Sequence, residues 1–297
     1  MDVKKPSLGD LKCKLCESRD VFLLDRFSGK EIGAFIPRFN KTYKKNFSKD
    51  LAIVDDDVFL LVRCRSCTFS FIANPLSSKN LHKLYEEIID SSATQKISKQ
   101  SEHRSLFLNI WLDILAFTKS GQVLDIGCGW GEFLQIGLSL GFKCYGYEFD
   151  QKKYPVLKSL GVKMLDQLDK SNKKYDFILA NQVLEHVTDP VFLVRTCRNI
   201  LSDKGRLLIA VPNCSNLGKK ITKTLNPLEH INYFTPKSLR TLLVNAGFKV
   251  QDYYPLRFEN WQNPIGIAKE LVKAFLNKLP IHSLPTRTAF VSCRIAK

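Results

Sequence analysis

The chain predicts an α/β fold, a doubly wound sheet preceded by a small N-terminal segment, and three observations predict it. The run Val123-Leu124-Asp125-Ile126-Gly127-Cys128-Gly129-Trp130-Gly131 reads as a buried strand that breaks into a Gly-rich turn and then a helix. A second strand, Lys143 to Tyr147, ends at the acid Glu148. Two C-x-x-C pairs, Cys13/Cys16 and Cys64/Cys67, lie ahead of both.

The turn is the element that carries chemistry. Gly127, Gly129 and Gly131 let the backbone approach a ligand where a Cβ would collide. The helix opening at Glu132 points free N–H groups back at that ligand. In a parallel α/β sheet such a turn is where cofactors bind. A dinucleotide fingerprint needs its third Gly where Glu132 stands, and an acid there repels a pyrophosphate. A P-loop needs Gly-Lys-Ser/Thr, which is absent. Asp125 suits a ligand with a cationic, amino-acid end. Glu148 follows at about the twenty-residue spacing used to grip ribose hydroxyls. A ligand with both ends is S-adenosylmethionine (SAM).

In these motifs the chain resembles the class I SAM-dependent methyltransferases over roughly residues 105–255. Tyr175 to Val187, with Asn181-Gln182-Val183-Leu184-Glu185-His186, looks like that family's fourth strand and the following loop. Leu201 to Gly205 resembles the turn before its fifth strand, which runs Arg206 to Val211. The resemblance implies a seven-stranded Rossmann-like methyltransferase sheet, with the last strand, Ala289 to Ala296, returning to its edge. It also implies a cofactor pocket of Asp125, Gly127, Gly129, Gly131, Glu148 and Asn181. Asp166, near the end of strand three, is a candidate for the adenine amino group. Trp130 and Tyr147 could pack on the cofactor or in the protein interior.

The nine cysteines are not evenly spread. Two C-x-x-C knuckles can complete a tetrahedral zinc site, and four thiolates leave no open position for chemistry, so its role would be structural. A small segment gains folding energy from such a metal. The spacing of 47 residues between knuckles is long for a zinc ribbon. Two disulfides, which suit exported proteins, and four unrelated thiols are the competing readings. A four-cysteine zinc segment ahead of this core is similar to the sugar C-methyltransferases that act on nucleotide-linked keto-sugars. In those enzymes a Glu-His pair in the loop after strand five is the proposed base, and Glu229-His230 matches it. Pro227 departs from them, since they often carry Tyr there.

The expected organisation is a zinc-binding segment at 1–75, a helical connection at 76–119 and a methyltransferase domain at 120–297. Within the connection, Leu81, Leu84, Tyr85, Ile88 and Ile89 share a face, as do Leu106, Ile110 and Ile114, while Ser91 to Ser101 reads as a polar connecting stretch. Later elements are a helix at Lys237 to Ala246, stopped by Gly247, and a strand at Phe248 to Tyr254. Residues 264–279 read as an amphipathic helix, either packed on the sheet or lying on a membrane surface.

Methyl transfer needs alignment of nucleophile, methyl carbon and sulfonium. A hydroxyl or carbon nucleophile must also lose a proton, and His is the natural base near neutral pH. His230, with Glu229 beside it, is the candidate base. A structural reading stands against it: Thr235-Pro236 opens the next helix, and His230 could simply bond a backbone carbonyl. His186 is expected to shape the cofactor pocket.

Lys and Arg exceed Asp and Glu to give a net charge of +16, which draws anionic partners. Nucleotide-sugars, lipid-linked glycans, RNA and anionic membrane all fit, as does a merely solvated Lys-rich surface. No Asn/Asp-Pro-Pro-Tyr base-methylating motif follows strand four, which argues against a nucleic-acid substrate. No apolar run reaches a membrane span and no signal segment opens the chain, so a cytoplasmic location is expected. The reading is a SAM-dependent methyltransferase acting on a carbohydrate or related small metabolite, with an RNA methyltransferase or a non-catalytic SAM-fold binding protein as alternatives.

Overall fold

A computed structural model describes residues 8–39, 42–43, 46–98, 101–217, 225–254 and 288–295. After a 3-10 turn at Leu8–Asp10 come β1 (Val21–Ser28), α1 (Gly29–Phe39), α2 (Phe47–Asp50), β2 (Val58–Cys64) and β3 (Ser70–Ile72). A short helix α3 (Ser78–Lys83) runs into a π-helical turn at Leu84–Ile88, then α4 (Ser91–Ser98) and α5 (Ser101–Phe117). The main sheet follows: β4 (Gln122–Ile126), α6 (Glu132–Ser139), β5 (Lys143–Tyr147), α7 (Tyr154–Ser159), β6 (Lys163–Met164), β7 (Tyr175–Asn181), α8 (Pro190–Ile200) and β8 (Leu201–Pro212). The last elements are β9 (Asn232–Tyr233), α9 (Pro236–Asn245), β10 (Phe248–Tyr254) and β11 (Thr288–Ile295).

Five strands, β6-β5-β4-β7-β8, are parallel, and β11 and β10 add to the β8 edge antiparallel. Alternation along the strands assigns the two faces. Phe177, Leu179, Leu208 and Ala210 pack with α5, α6 and α7, while Ile178, Ala180, Leu207 and Ile209 pack with α8 and α9. Chain order reverses direction between β4 and β7, which puts the switch point at the carboxyl ends of these two strands.

Helix starts follow their local chemistry. Asp189 caps α8 by accepting from the Phe192 N–H at 2.8 Å, with Pro190 in the first turn. Thr235 and Ser238 form a reciprocal capping box on α9. So the capping expected of Thr235-Pro236 is present, and it does not involve the side chain of His230.

The N-terminal segment is not walled off at residue 75. Its sheet, β1-β2-β3, is completed by β9 from the loop after β8. Phe69 packs on Phe234 with ring centroids 5.1 Å apart, and Thr68 and Thr235 hydroxyls lie 2.6 Å apart. Cys13, Cys64, Cys67, Phe69 and Phe71 share a buried core with α8 and α9.

Two sequence expectations are corrected. Ser91 to Ser101 is no mere connection: α4 occupies Ser91–Ser98, capped by Asp90, whose carboxylate accepts from the Ser92 N–H at 2.8 Å. Leu201 to Gly205 is not a turn but the first part of β8, because Leu201 pairs with Tyr175 and a register shift absorbs the extra residues before Phe177 meets Arg206. The stretch 264–279, expected as an amphipathic helix, lies outside the described residues. Among the described residues no helix is long and apolar enough to cross a membrane.

Candidate functional site

The Gly-rich bend sits at the carboxyl end of β4. Its first two amides, Gly127 and Cys128, donate to the Tyr147 carbonyl at 2.7 and 3.3 Å, which ties the bend to the end of β5. Gly127, Gly129 and Gly131 have φ of 70°, 54° and 85°, a region that favours glycine. Beyond Gly129 the position a Cβ would take meets nothing within 4 Å, so the bend faces open space there. The positions at Gly127 and Gly131 run into Val183 and Leu157.

Two carboxylates flank the bend. Glu148 accepts the Gly129 N–H at 2.8 Å through Oε2, and its Oε1 lies 3.2 Å from the Lys153 ammonium. Asp125 is buried, and burial, then Glu148 and Glu132, push its carboxyl well above the usual carboxylate range. A cation placed beside this acid would favour its ionised form. Asp166 is exposed in the loop after β6, close enough to raise the Tyr154 phenol after burial. Asn181 ends β7, and its Oδ1 is buried without a hydrogen-bond partner.

The segment 84–98 folds over this end of the site. The Trp130 indole points at Thr94 Oγ1 at 3.4 Å, Ser91 donates to Asp150 at 2.9 Å, and Lys152 donates to the Glu86 carbonyl. None of these contacts was legible from the sequence, since they join residues tens of positions apart. Tyr147 packs edge-on to Phe149, with ring centroids 5.5 Å apart.

A second cluster stands where the loops after β7 and β8 meet. The amides of Ile231 and Asn232 donate to the Glu185 carbonyl at 2.8 and 3.1 Å, and Asn232 Nδ2 donates to Leu184 and Val187 carbonyls. These bonds strap one loop to the other and bring His230 to His186, with ring centroids 4.8 Å apart and edge-to-face. Glu185, His186 and His230 each offer a donor atom within 4.8 Å of the others. Burial pushes Glu185 up to about 8, and burial, then His230, pulls His186 down to about 3. Both Glu185 oxygens are buried without a hydrogen-bond partner among the described residues.

His186 Nδ1 lies 2.9 Å from the Glu229 carbonyl and 2.8 Å from Tyr85 Oη. A carbonyl only accepts, so the proton sits on Nδ1 and Nε2 keeps its lone pair. Glu229 Oε1 accepts from Tyr43 at 2.7 Å and from Asn226 at 2.8 Å. The structure therefore gathers His230, His186 and Glu185. The sequence singled out Glu229 as the acid of the pair, and that side chain is committed to Tyr43 and Asn226. Glu185 was missed as an acid because nothing in a Leu-Glu-His run shows that its carboxylate turns inward.

The four knuckle cysteines also meet. Cys13 and Cys67 sulfurs are 3.5 Å apart, Cys16 and Cys64 3.6 Å, and all four lie within 4.8 Å of one another. A disulfide needs about 2.05 Å, whereas a tetrahedron with metal–sulfur bonds of about 2.3 Å puts sulfurs about 3.8 Å apart. The knuckles are built alike. In each, the residue after the second cysteine has a positive φ, Glu17 at 59° and Thr68 at 65°. Each first cysteine amide donates five residues on, Cys13 to Ser18 and Cys64 to Phe69, both at 2.9 Å. The Cys67 contact pulls the Cys13 thiol down to about 5.

Comparison with known proteins bears on the family and the fold. A family model described as a methyltransferase domain matches residues 100–253, more than half of the chain. The ubiquinone biosynthesis O-methyltransferase of Xanthomonas oryzae pv. oryzae is 23% identical over 163 residues, 48% of this chain and 68% of that one. Its counterpart in Xylella fastidiosa is 25% identical over 163 residues, covering 48% of this chain and 66% of that one. Among solved structures, the Burkholderia thailandensis 1,6-didemethyltoxoflavin-N1-methyltransferase with S-adenosylhomocysteine matches at TM-score 0.51 and 15% identity, over 78% of this chain and 98% of that one. The chain belongs to the methyltransferase-domain family and carries a SAM-dependent methyltransferase domain.

Proposed function

We propose that the chain transfers the SAM methyl group to an oxygen or acidic carbon of a carbohydrate, free, nucleotide-linked or lipid-linked, or of a related small metabolite. SAM seats in the bend, its amino-acid end at Asp125 and Gly127, its ribose at Glu148 beside Gly129 and Gly131, its adenine toward Asp166. Asn181 lines the floor with an unpaired oxygen. The observation that carries this reading is the open space over Gly129 with the Glu148 carboxylate beside it.

The acceptor enters at the His186–His230 cluster, at the carboxyl edge of the parallel strands. There it loses its proton to His230, and Glu185 is the buried acid near that imidazole. Glu229, held by Tyr43 and Asn226, sets the loop and presents its carbonyl to His186. The curated relatives are named as O-methyltransferases, which makes a hydroxyl the first acceptor atom to test. The four cysteines hold a structural zinc ion, which fastens two knuckles to the core shared with α8 and α9. The catalytic machinery is proposed for a cytoplasmic enzyme.

The test is turnover of radiolabelled SAM against a panel of nucleotide-sugars and small hydroxylated acceptors. His230→Ala should cut turnover while SAM affinity is kept. Normal turnover by that variant removes His230 from the chemistry.

A further inference from the structure

Glu185 poses a problem that the methyl-transfer reading leaves unsolved. The residue is 1% exposed, and among the described residues neither carboxylate oxygen has a hydrogen-bond partner. An unpaired buried carboxylate is costly and is normally neutralised, paired or bound to a metal. Two imidazoles offer nitrogens within 4.8 Å of it. One of them, His186, has its tautomer set by a backbone carbonyl on Nδ1. That is the outer-shell arrangement that orients a ligating imidazole. Tyr43 and Asn226 fix the Glu229 residue that supplies the carbonyl.

We propose that Glu185, His186 and His230 form a second metal site, distinct from the four cysteines, for a divalent first-row transition ion. Two imidazoles and one carboxylate suit zinc, manganese or iron(II) better than magnesium or calcium. Ligands about 2.1 Å from such an ion lie roughly 3–4 Å apart, so the three side chains close slightly on binding. Three protein ligands leave open positions, and these face the acceptor end of the site. The proposal rests on the reading of this cluster as the acceptor end.

A bound ion changes where the acceptor proton goes. His230 then gives its lone pair to the metal. The acceptor hydroxyl ionises on the metal and its proton passes to water. The oxygen lone pair forms the O–C bond to the methyl group as the C–S bond breaks. The electron pair of that bond stays on sulfur, turning the sulfonium into a neutral thioether. The acceptors favoured are those with two neighbouring oxygens, a vicinal diol or a hydroxyl beside a carbonyl, because they chelate.

The experiment is titration of the zinc-loaded chain with Mn2+ and, separately, Zn2+, read by calorimetry and by metal analysis after desalting. Wild type should bind one ion beyond the cysteine-bound one. Glu185→Gln and His230→Ala should each lose affinity at least 10-fold, with melting temperature and SAM affinity close to wild type. A second variant of the same position, His230→Gln, keeps a polar side chain should the alanine unfold. No binding to wild type in the millimolar range, or wild-type affinity in Glu185→Gln, overturns the metal site. If turnover persists in protein shown to lack the ion, the ion's part in the chemistry fails and the methyl-transfer reading stands. If the ion binds and no hydroxylated acceptor is methylated, the site stands and the acceptor reading fails.

Discussion

Glu148 Oε2 accepts the backbone N–H of Gly129 at 2.8 Å, across the gap between the end of β5 and the bend after β4. One acid thus holds the glycine turn in place and stands where ribose hydroxyls are expected. A hydrogen bond to a charged group contributes about 1.5–3 kcal/mol. Glu148→Ala should therefore weaken SAM binding roughly 10- to 100-fold, measured by calorimetry. Wild-type affinity in a folded variant would remove Glu148 from the ribose site.

Asp125 gives a pH dependence with a definite sign. Burial and the neighbouring acids raise its carboxyl in the free protein, so it holds its proton to higher pH than an ordinary Asp. The SAM ammonium favours the ionised form. Binding should release a proton, and affinity should fall as the pH is lowered through the raised range. Calorimetry in two buffers of different ionisation heat reads the proton directly. Asp125→Asn should abolish the release, and an unchanged release in that variant would assign it elsewhere.

Gly137 tests the packing under the bend. It lies inside α6, where alanine would ordinarily gain about 1 kcal/mol of helix propensity. Here an added Cβ collides with the Trp111 ring and comes within 2.8 Å of Cys144 Sγ. Trp111 cannot swing away freely, since its indole donates to the Phe133 carbonyl at 2.8 Å. Gly137→Ala should destabilise the protein by about 1–3 kcal/mol, read from denaturant midpoints. A stabilised variant would show that Trp111 moves aside.

What the sequence made legible was local. The strand–glycine–helix run, the acid after β5 and the two C-x-x-C knuckles each lie within a few neighbours, where spacing alone fixes geometry. The bend glycines all take positive φ, and the four cysteines converge as their pairing implied. What stayed hidden depends on chain closure. Tyr43 reaches Glu229 across 186 positions, and Thr94 meets Trp130 across 36. The pairing of β9, in the loop after β8, with the N-terminal sheet could not be read from two residues, Asn232-Tyr233, that carry no strand pattern of their own. The inward turn of Glu185 was hidden because burial is a property of the fold.

The cysteine cluster yields a stability prediction. In a chain of this size each kcal/mol of lost metal-linked stability moves the melting temperature by roughly 2–4 °C. A strong chelator should lower the melting temperature of wild type. Cys64→Ser should melt lower from the start and show no further drop with chelator. A chelator without effect on wild type would mean that the four sulfurs hold no metal.

The most direct test of the cofactor pocket is SAM calorimetry on Gly129→Arg. The new side chain projects into the space that lies open beyond Gly129. A positive φ costs about 1–2 kcal/mol for a residue with a Cβ, so folding should survive at a somewhat lower melting temperature. SAM binding should disappear. A folded variant that binds SAM as wild type does would contradict the placement of the cofactor in this bend.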